Sequence, residues 1–187
     1  MSHFDFIPTP LIGLKLVQRK AIEDHRGFLS RFHCAEEFSE AGIIKKPIAQ
    51  INHTLTRKKG AVRGLHFQHA PHAETKLVSC LKGEIWDVAV DLRSNSPTFL
   101  QWHGEILSAA NRKSLLIPEC YAHGFQALTE DCELIYLHTE PYHPEAEGAF
   151  NVSDPRLSIT WPLPIGDLSE RDRNHLFIQS DFQGIDL

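Results

Sequence analysis

The run Val62-Arg63-Gly64-Leu65-His66-Phe67-Gln68 sets an arginine, a histidine and a glutamine into what otherwise reads as a buried β-strand. Alternate residues of a strand share a face, so Gly64, His66 and Gln68 look one way and Leu65 and Phe67 the other. An imidazole titrates near neutrality, so it can take up and return a proton under ordinary conditions. A strand would hold such a base still, and the bare Gly64 leaves room beside it for a ligand or for a neighbouring strand. Arg63 falls on the other parity and joins His66 only if a bulge intervenes. On this strand alone, a hydrogen-bonded core histidine and a functional one fit equally well.

The chain has 12 histidines, which raises the question of metal. His66, His69 and His72 lie close to Glu74 in "HFQHAPHAE". Metal-binding barrels often carry an HxH pair, because residues two apart share a strand face. Here the spacing is three, and Pro71 is expected to end the strand before His72. His69 and His72 therefore read as a solvated loop, and no metal site is expected. Other polar residues stand in apolar surroundings: Lys76 before "LVSCL", Asp87 and Asp91 in "IWDVAVDL", His123 in "YAHGF" and Tyr136 in "LIYL". Lysines snorkel and tyrosines fill cores with one wet end, so each alone has a structural explanation. Together they suggest a barrel lined with polar groups, and lined barrels commonly hold a ligand.

The elements that must carry these residues are mostly strands. "LIGLKLVQRKAI" alternates through Leu14, Leu16 and Gln18 and stops at the turn signal "EDHRG". "KLVSCLKGEIWDVAVDLR" predicts two strands joined as a hairpin at Lys82-Gly83. The stretches "TFLQWHGEIL", "SLLIPECYAHGFQAL" and "CELIYLHTEPYHP" are strand-like with interruptions. Helical signal is confined to "AEEFSEAG" at residues 35–42, closed by Gly42, and to one or two turns in "DLSERDRNHL". Short strands at roughly ten-residue spacing predict an antiparallel sandwich or jelly roll rather than βαβ units. There is no repeat or linker, so residues 1–187 are expected to form one domain, long enough to bury a full core.

Composition narrows the function. An apolar fraction of 42% and a charged fraction of 23% are those of a globular protein. A net charge of −5 argues against a nucleic-acid or anionic-membrane binder, though a local basic site could still take phosphate. Cys34, Cys80, Cys120 and Cys132 show no CxxC spacing and read as free thiols in a reducing cytoplasm. No apolar run approaches 18 residues and no signal-peptide pattern opens the chain, so a cytoplasmic location is expected.

In order along the chain, "EDHRGFLSRF", "RGLHFQ", a lysine ten residues after the histidine in "KLV", "DVAVDLRSNSPTF", "LSAANRKSLLIPECYAHGF", "SDPRLSITWP" and "LSERD" resemble the dTDP-4-dehydrorhamnose 3,5-epimerase family. The resemblance implies a mainly β fold, a cupin-like antiparallel jelly-roll barrel with a few short helices. It implies catalysis without metal or other cofactor, and a homodimer whose subunits exchange strands. His66 matches the family's catalytic base and Asp172 the carboxylate paired with it. Lys76 matches the lysine near the sugar's C4 oxygen, and Tyr136 the proton donor. Arg26, Gln50, Asn52, Arg63, His123, Glu147 and Arg171 fall where the family contacts substrate, Arg171 standing where lysine is common. The implied reaction inverts C3, C5 or both in a nucleotide-linked 4-keto-6-deoxy-hexose, feeding deoxysugar synthesis. Protons beside a ketone are acidic, the enolate oxygen needs a cation, and inversion needs base and acid on opposite faces.

Three positions depart from the family pattern. Arg31 replaces a frequent glutamate near the nucleotide base; cytosine offers acceptors that suit arginine, which raises a CDP-linked substrate beside a dTDP-linked one. Pro141 replaces a tyrosine expected near the nucleotide or sugar, a change that could limit inversion to one centre. Cys120 replaces glycine, and the backbone there is expected to adjust away from positive φ. The alternatives are a 3-epimerase only and a non-catalytic sugar-nucleotide-binding protein on the same fold.

Overall fold

The computed structural model describes residues 2–42, 44 and 46–186. In chain order the strands are β1 (Phe4–Pro8), β2 (Lys15–Arg19), β3 (Ala21–Asp24), β4 (Gly27–Ser30), β5 (Gln50–Thr56), β6 (Val62–Gln68), β7 (Lys76–Lys82), β8 (Glu84–Asp91), β9 (Trp102–Ser108), β10 (Lys113–Ile117), β11 (Tyr121–Ala127), β12 (Cys132–His138) and β13 (Glu147–Ala149). Two short helices join them, α1 (Ala35–Glu40) and α2 (Glu170–Arg173), where the two helical signals lie. One sheet runs β1-β2-β10-β7-β12-β5 and a second β13-β6-β11-β8-β9, while β3 and β4 form a separate hairpin. The strand pairs within these sheets are antiparallel, as a jelly roll requires.

The hairpin expected at Lys82-Gly83 does not form. Both strands are present, but β7 pairs with β10 and β12, and β8 with β11 and β9. Gly83, at φ +78°, turns the chain from one sheet into the other. Local pattern is the same for a hairpin and for such a corner. The difference comes from burial, because Val78 and Cys80 of β7 share one core with Ile85 and Ala89 of β8.

Each sheet is also covered on its outer face, so β7, β8 and β11 are buried at nearly every position rather than at alternate ones. Phe38 of α1 packs with Phe4, Leu77, Leu116 and Leu137 against the six-stranded sheet. Residues of the C-terminal segment, among them Val152, Leu157 and Ile178, cover the five-stranded one. Between the sheets, Leu16, Val78, Leu115, Phe125 and Leu134 fill one end of the barrel. Tyr136 packs against that cluster and marks where the filled end stops. Cys120 keeps φ at +60° instead of relaxing, because its carbonyl accepts from Leu92 N (3.1 Å) and its side chain is buried. The four cysteines are free. Among the described residues no helix is long and apolar enough to cross a membrane.

Candidate active site

The open end of the barrel is a cavity of about 960 Å³ between the two sheets, at the upper end of the usual range for a small-molecule site. Strand parity decides what lines it. On β12, Cys132 and Leu134 point into the core, so Tyr136 and His138 continue the same face into the cavity. On β7, Val78 and Cys80 do likewise and bring Lys76 with them. His138 lies opposite Lys76 and Gln50 across the ladder, and Tyr136 lies opposite Asn52. The facing wall comes from β6 and β11, where His66 and His123 are paired neighbours.

Arg63 joins that wall, and the reason is the bulge that its parity demanded. His123 pairs with His66 but Phe125 pairs with Arg63, so β6 spends three residues where β11 spends two. Arg63 then donates from Nε to Thr56 Oγ1 (3.0 Å) and from Nη2 to Leu55 O (3.3 Å), fixed across the cavity against β5. The bulge needs glycine: at Gly64 φ is +133°, and a Cβ there would lie 2.6 Å from Gly124 Cα.

His66 Nε2–H donates to Asp172 Oδ1 at 2.9 Å, which leaves the ring's lone pair on Nδ1. Asp172 is held from three sides. It stands in the first turn of α2, its own amide donating to the cap residue Ser169 Oγ (3.0 Å), and its Oδ2 accepts from Gly64 N (3.4 Å). Burial pushes its carboxyl up, but the His66 hydrogen bond and charge, the Gly64 amide and Arg171 outweigh it and hold it at about 2. A carboxyl depressed in the fold contributes stability that is complete above its unfolded value of about 4 and is lost as pH falls through about 2. Thermal melting of wild type is therefore expected to drop between about pH 4 and 2, and Asp172→Asn to drop less over that window. Superimposable profiles would refute the assignment.

Three other polar groups face the cavity, His123 and Lys76 buried and Tyr136 half-buried. His123 Nε2 donates to Asp87 Oδ1 at 2.7 Å, and burial raises the Asp87 carboxyl while the imidazole partly offsets it. Tyr136 stands edge-on to His123, and burial, then the Asp87 carboxylate, raise its phenol above the usual value. It is thereby kept as a proton-bearing acid. Lys76 Nζ donates to Glu74 Oε1 (3.0 Å) and to His66 O (3.4 Å), with its side chain 9% exposed.

The structure thus gathers His66, Asp172, Lys76 and Tyr136 in one cavity, with Gln50, Asn52, Arg63, His123, Glu147 and Arg171 around them. Arg171 reaches Glu147 Oε2 (3.1 Å) and comes within 3.3 Å of His66 Nε2. Arg26 and Arg31 do not line the cavity of their own chain. Arg26 sits at the tip of the β3–β4 hairpin on Asp24, and Arg31 pairs with Glu37 at 3.1 Å. Pro141 does not line it either; its carbonyl accepts from Gln68 (3.1 Å), while the next residue, Tyr142, does face the site.

His72 is not the solvated loop residue its spacing suggested: it is half-buried and stacks on His143 with centroids 3.6 Å apart, whereas His69 is exposed. Ligand atoms of His66, Asp172 and His175 lie within 4.8 Å of one another, a spacing that a metal could use. The Arg171 guanidinium beside His66 opposes a cation there. His175, whose Nε2 is 3.4 Å from Asp172 Oδ1, went unnoticed in sequence, as did His138. The signal for His138 was its i+2 spacing from Tyr136 on one strand face.

Known proteins resemble this chain over most of its length. The family model for dTDP-4-dehydrorhamnose 3,5-epimerase matches residues 8–180. The enzyme of that name from Methanothermobacter thermautotrophicus is 41% identical over 177 residues, 93% of this chain and 94% of its own. The crystal structure of dTDP-6-deoxy-D-glucose-3,5-epimerase from Legionella pneumophila, in complex with dTDP-4-keto-L-rhamnose, has a TM-score of 0.91 at 37% identity, covering 99% of this chain and all of that one. A 3'-monoepimerase from Streptomyces bikiniensis in complex with dTDP-quinovose has a TM-score of 0.85 at 32% identity, covering 91% and 86%. The chain belongs to the dTDP-4-dehydrorhamnose 3,5-epimerase family.

Proposed function

We propose that the protein, as one jelly-roll domain over residues 1–187, epimerises a dTDP-linked 4-keto-6-deoxy-hexose at C3 and C5. The observation that carries this is the placement of the His66–Asp172 pair on one wall of the cavity and of Tyr136 and Lys76 on the other. His66 removes the proton beside the ketone, and Asp172 fixes its tautomer and favours the imidazolium that forms. The ammonium of Lys76 takes the charge that develops on the C4 oxygen. Tyr136 returns a proton to the opposite face. The reaction is an isomerisation in which a proton leaves and a proton returns, so no redox equivalent enters its balance. Arg63, Arg171 and His123, with the amides of Gln50 and Asn52, bind the sugar and diphosphate.

The dTDP form is favoured over CDP because Arg31 is committed to Glu37 and the relatives compared act on or bind dTDP-sugars. A homodimer is part of the same reading. Ile22, Phe28 and Leu29 on the β3–β4 hairpin are between 58% and 68% exposed, and Arg26 stands beside them outside its own cavity. A hairpin that apolar is suited to docking on a second copy. The working location is the cytoplasm.

Proton NMR in D₂O with dTDP- and CDP-4-keto-6-deoxy-glucose tests the reading. Deuterium is expected at C3 and C5 with the dTDP sugar, accompanied by inversion. Uptake at C3 alone would place the chain with the monoepimerase, a CDP preference would restore the Arg31 hypothesis, and no uptake with either would leave a binding protein. Light scattering is expected to return twice the chain mass.

A further inference from the structure

Glu74 is a buried carboxylate, its side chain 8% exposed, with no part in the proton transfers. Both of its oxygens are occupied: Oε1 accepts from Lys76 Nζ (3.0 Å) and Oε2 from His138 Nδ1 (2.7 Å). Glu74 lies two residues before Lys76, and His138 sits directly across the ladder from Lys76. One carboxylate therefore bridges β7 and β12 at the rim of the cavity.

We infer that Glu74 is a positioning residue, which aims the Lys76 ammonium at the developing enolate oxygen and is itself braced by His138. An ammonium has three N–H donors. On Lys76 one goes to Glu74 and a second to His66 O at 3.4 Å, so the third is left for the C4 oxygen in the cavity. With only the His66 carbonyl as partner, a four-carbon side chain would sample several rotamers. Glu74 could rotate in turn, were its second oxygen free. His138 prevents that, and its Nε2 lies 3.4 Å from Asn52 Nδ2, whose Oδ1 accepts from Gln50 Nε2 (3.2 Å). The brace is thus tied into the β5 wall that meets the substrate. Asp87, whose carboxyl feels the Lys76 charge, and His123, Tyr136 and the His66 imidazole, which line the same cavity, make no side-chain hydrogen bond to Lys76 among the described residues.

This inference rests on the role of Lys76 proposed above, and the experiment separates the two. Steady-state kinetics with the dTDP-4-keto-6-deoxy sugar compares wild type, Glu74→Gln, Lys76→Ala and the double variant, with melting temperature as the control for folding. Removing a direct oxyanion donor costs about 100- to 1,000-fold in kcat, and removing a group that only aims the donor is expected to cost about 10- to 100-fold. KM should stay within about 3-fold, because the lost interaction belongs to the transition state. In the Lys76→Ala background Glu74→Gln should have little further effect, since the carboxylate acts through the lysine. Wild-type kcat in Glu74→Gln, with Lys76→Ala inactive, would overturn the inference alone. Multiplying losses in the double variant would overturn it too, by giving Glu74 a separate role. Full activity in Lys76→Ala would remove the lysine's role and this inference together. Should Glu74→Gln fail to fold, Glu74→Asp keeps the charge one methylene short of its partners; a reduced kcat supports the inference and a wild-type kcat overturns it.

Discussion

His66→Ala is expected to lower both epimerisation and solvent exchange by up to about 10⁴-fold, whereas Tyr136→Phe is expected to keep exchange and lose inversion. The two residues stand on opposing walls of one cavity, β6 on the five-stranded sheet and β12 on the six-stranded sheet. A base on one face can remove a proton and return a deuteron to the same face without help from the other side. Inversion needs the second face, and there Tyr136 is the group kept protonated, its phenol raised by burial and by Asp87. A positioned base contributes about 10²–10⁴-fold. In His66→Ala the turnover should therefore fall toward the upper end of that range, because Asp172 loses the imidazole it orients. Deuterium at C3 or C5 in sugar of unchanged configuration, found in Tyr136→Phe, is the result that checks the assignment. Exchange undiminished in His66→Ala, or lost in Tyr136→Phe, would exchange or discard the two roles.

Gly64→Ala is expected to unfold the protein or to cost about 2–6 kcal/mol, the sum of overpacking and backbone strain. The new methyl would sit 2.6 Å from Gly124 Cα and 2.9 Å from His123 O, both backbone atoms that cannot step aside. The φ of +133° adds strain for any L-residue with a side chain. Gly64 also donates its amide to Asp172, and the bulge around it turns Arg63 into the cavity. Any fraction that folds should consequently bind substrate poorly. Denaturant midpoints measure the first effect and KM the second; a variant with wild-type midpoint would contradict the close approach.

Both predictions begin from the strand that sequence singled out, and both depend on contacts that sequence could not show. Parity alone left Arg63 on the wrong face, since an extra residue in a strand has no composition of its own beyond a glycine. The corner at Gly83 was misread for a similar reason. A glycine turn between two apolar runs specifies a reversal of direction, while the choice between pairing within a sheet and crossing to the other lies in which inner faces bury one another.

What the sequence by itself determined is the periodic and local part. Period-two runs broken by turn residues predicted an antiparallel β protein, and both helical signals became helices. The ordered motifs identified the family and offered His66, Lys76 and Tyr136 as candidates, each on a strand whose alternation aims it into the cavity. Only the tertiary structure decided the long-range part. It set Glu74 between Lys76 and His138, left Arg26 and Arg31 outside their own cavity, and gave the 2.9 Å contact across 106 positions between His66 and Asp172, a pair that the family resemblance implied but no spacing could show. The physical reason is that periodicity follows from backbone geometry residue by residue. Which distant side chains meet follows from how the two sheets bury their inner faces.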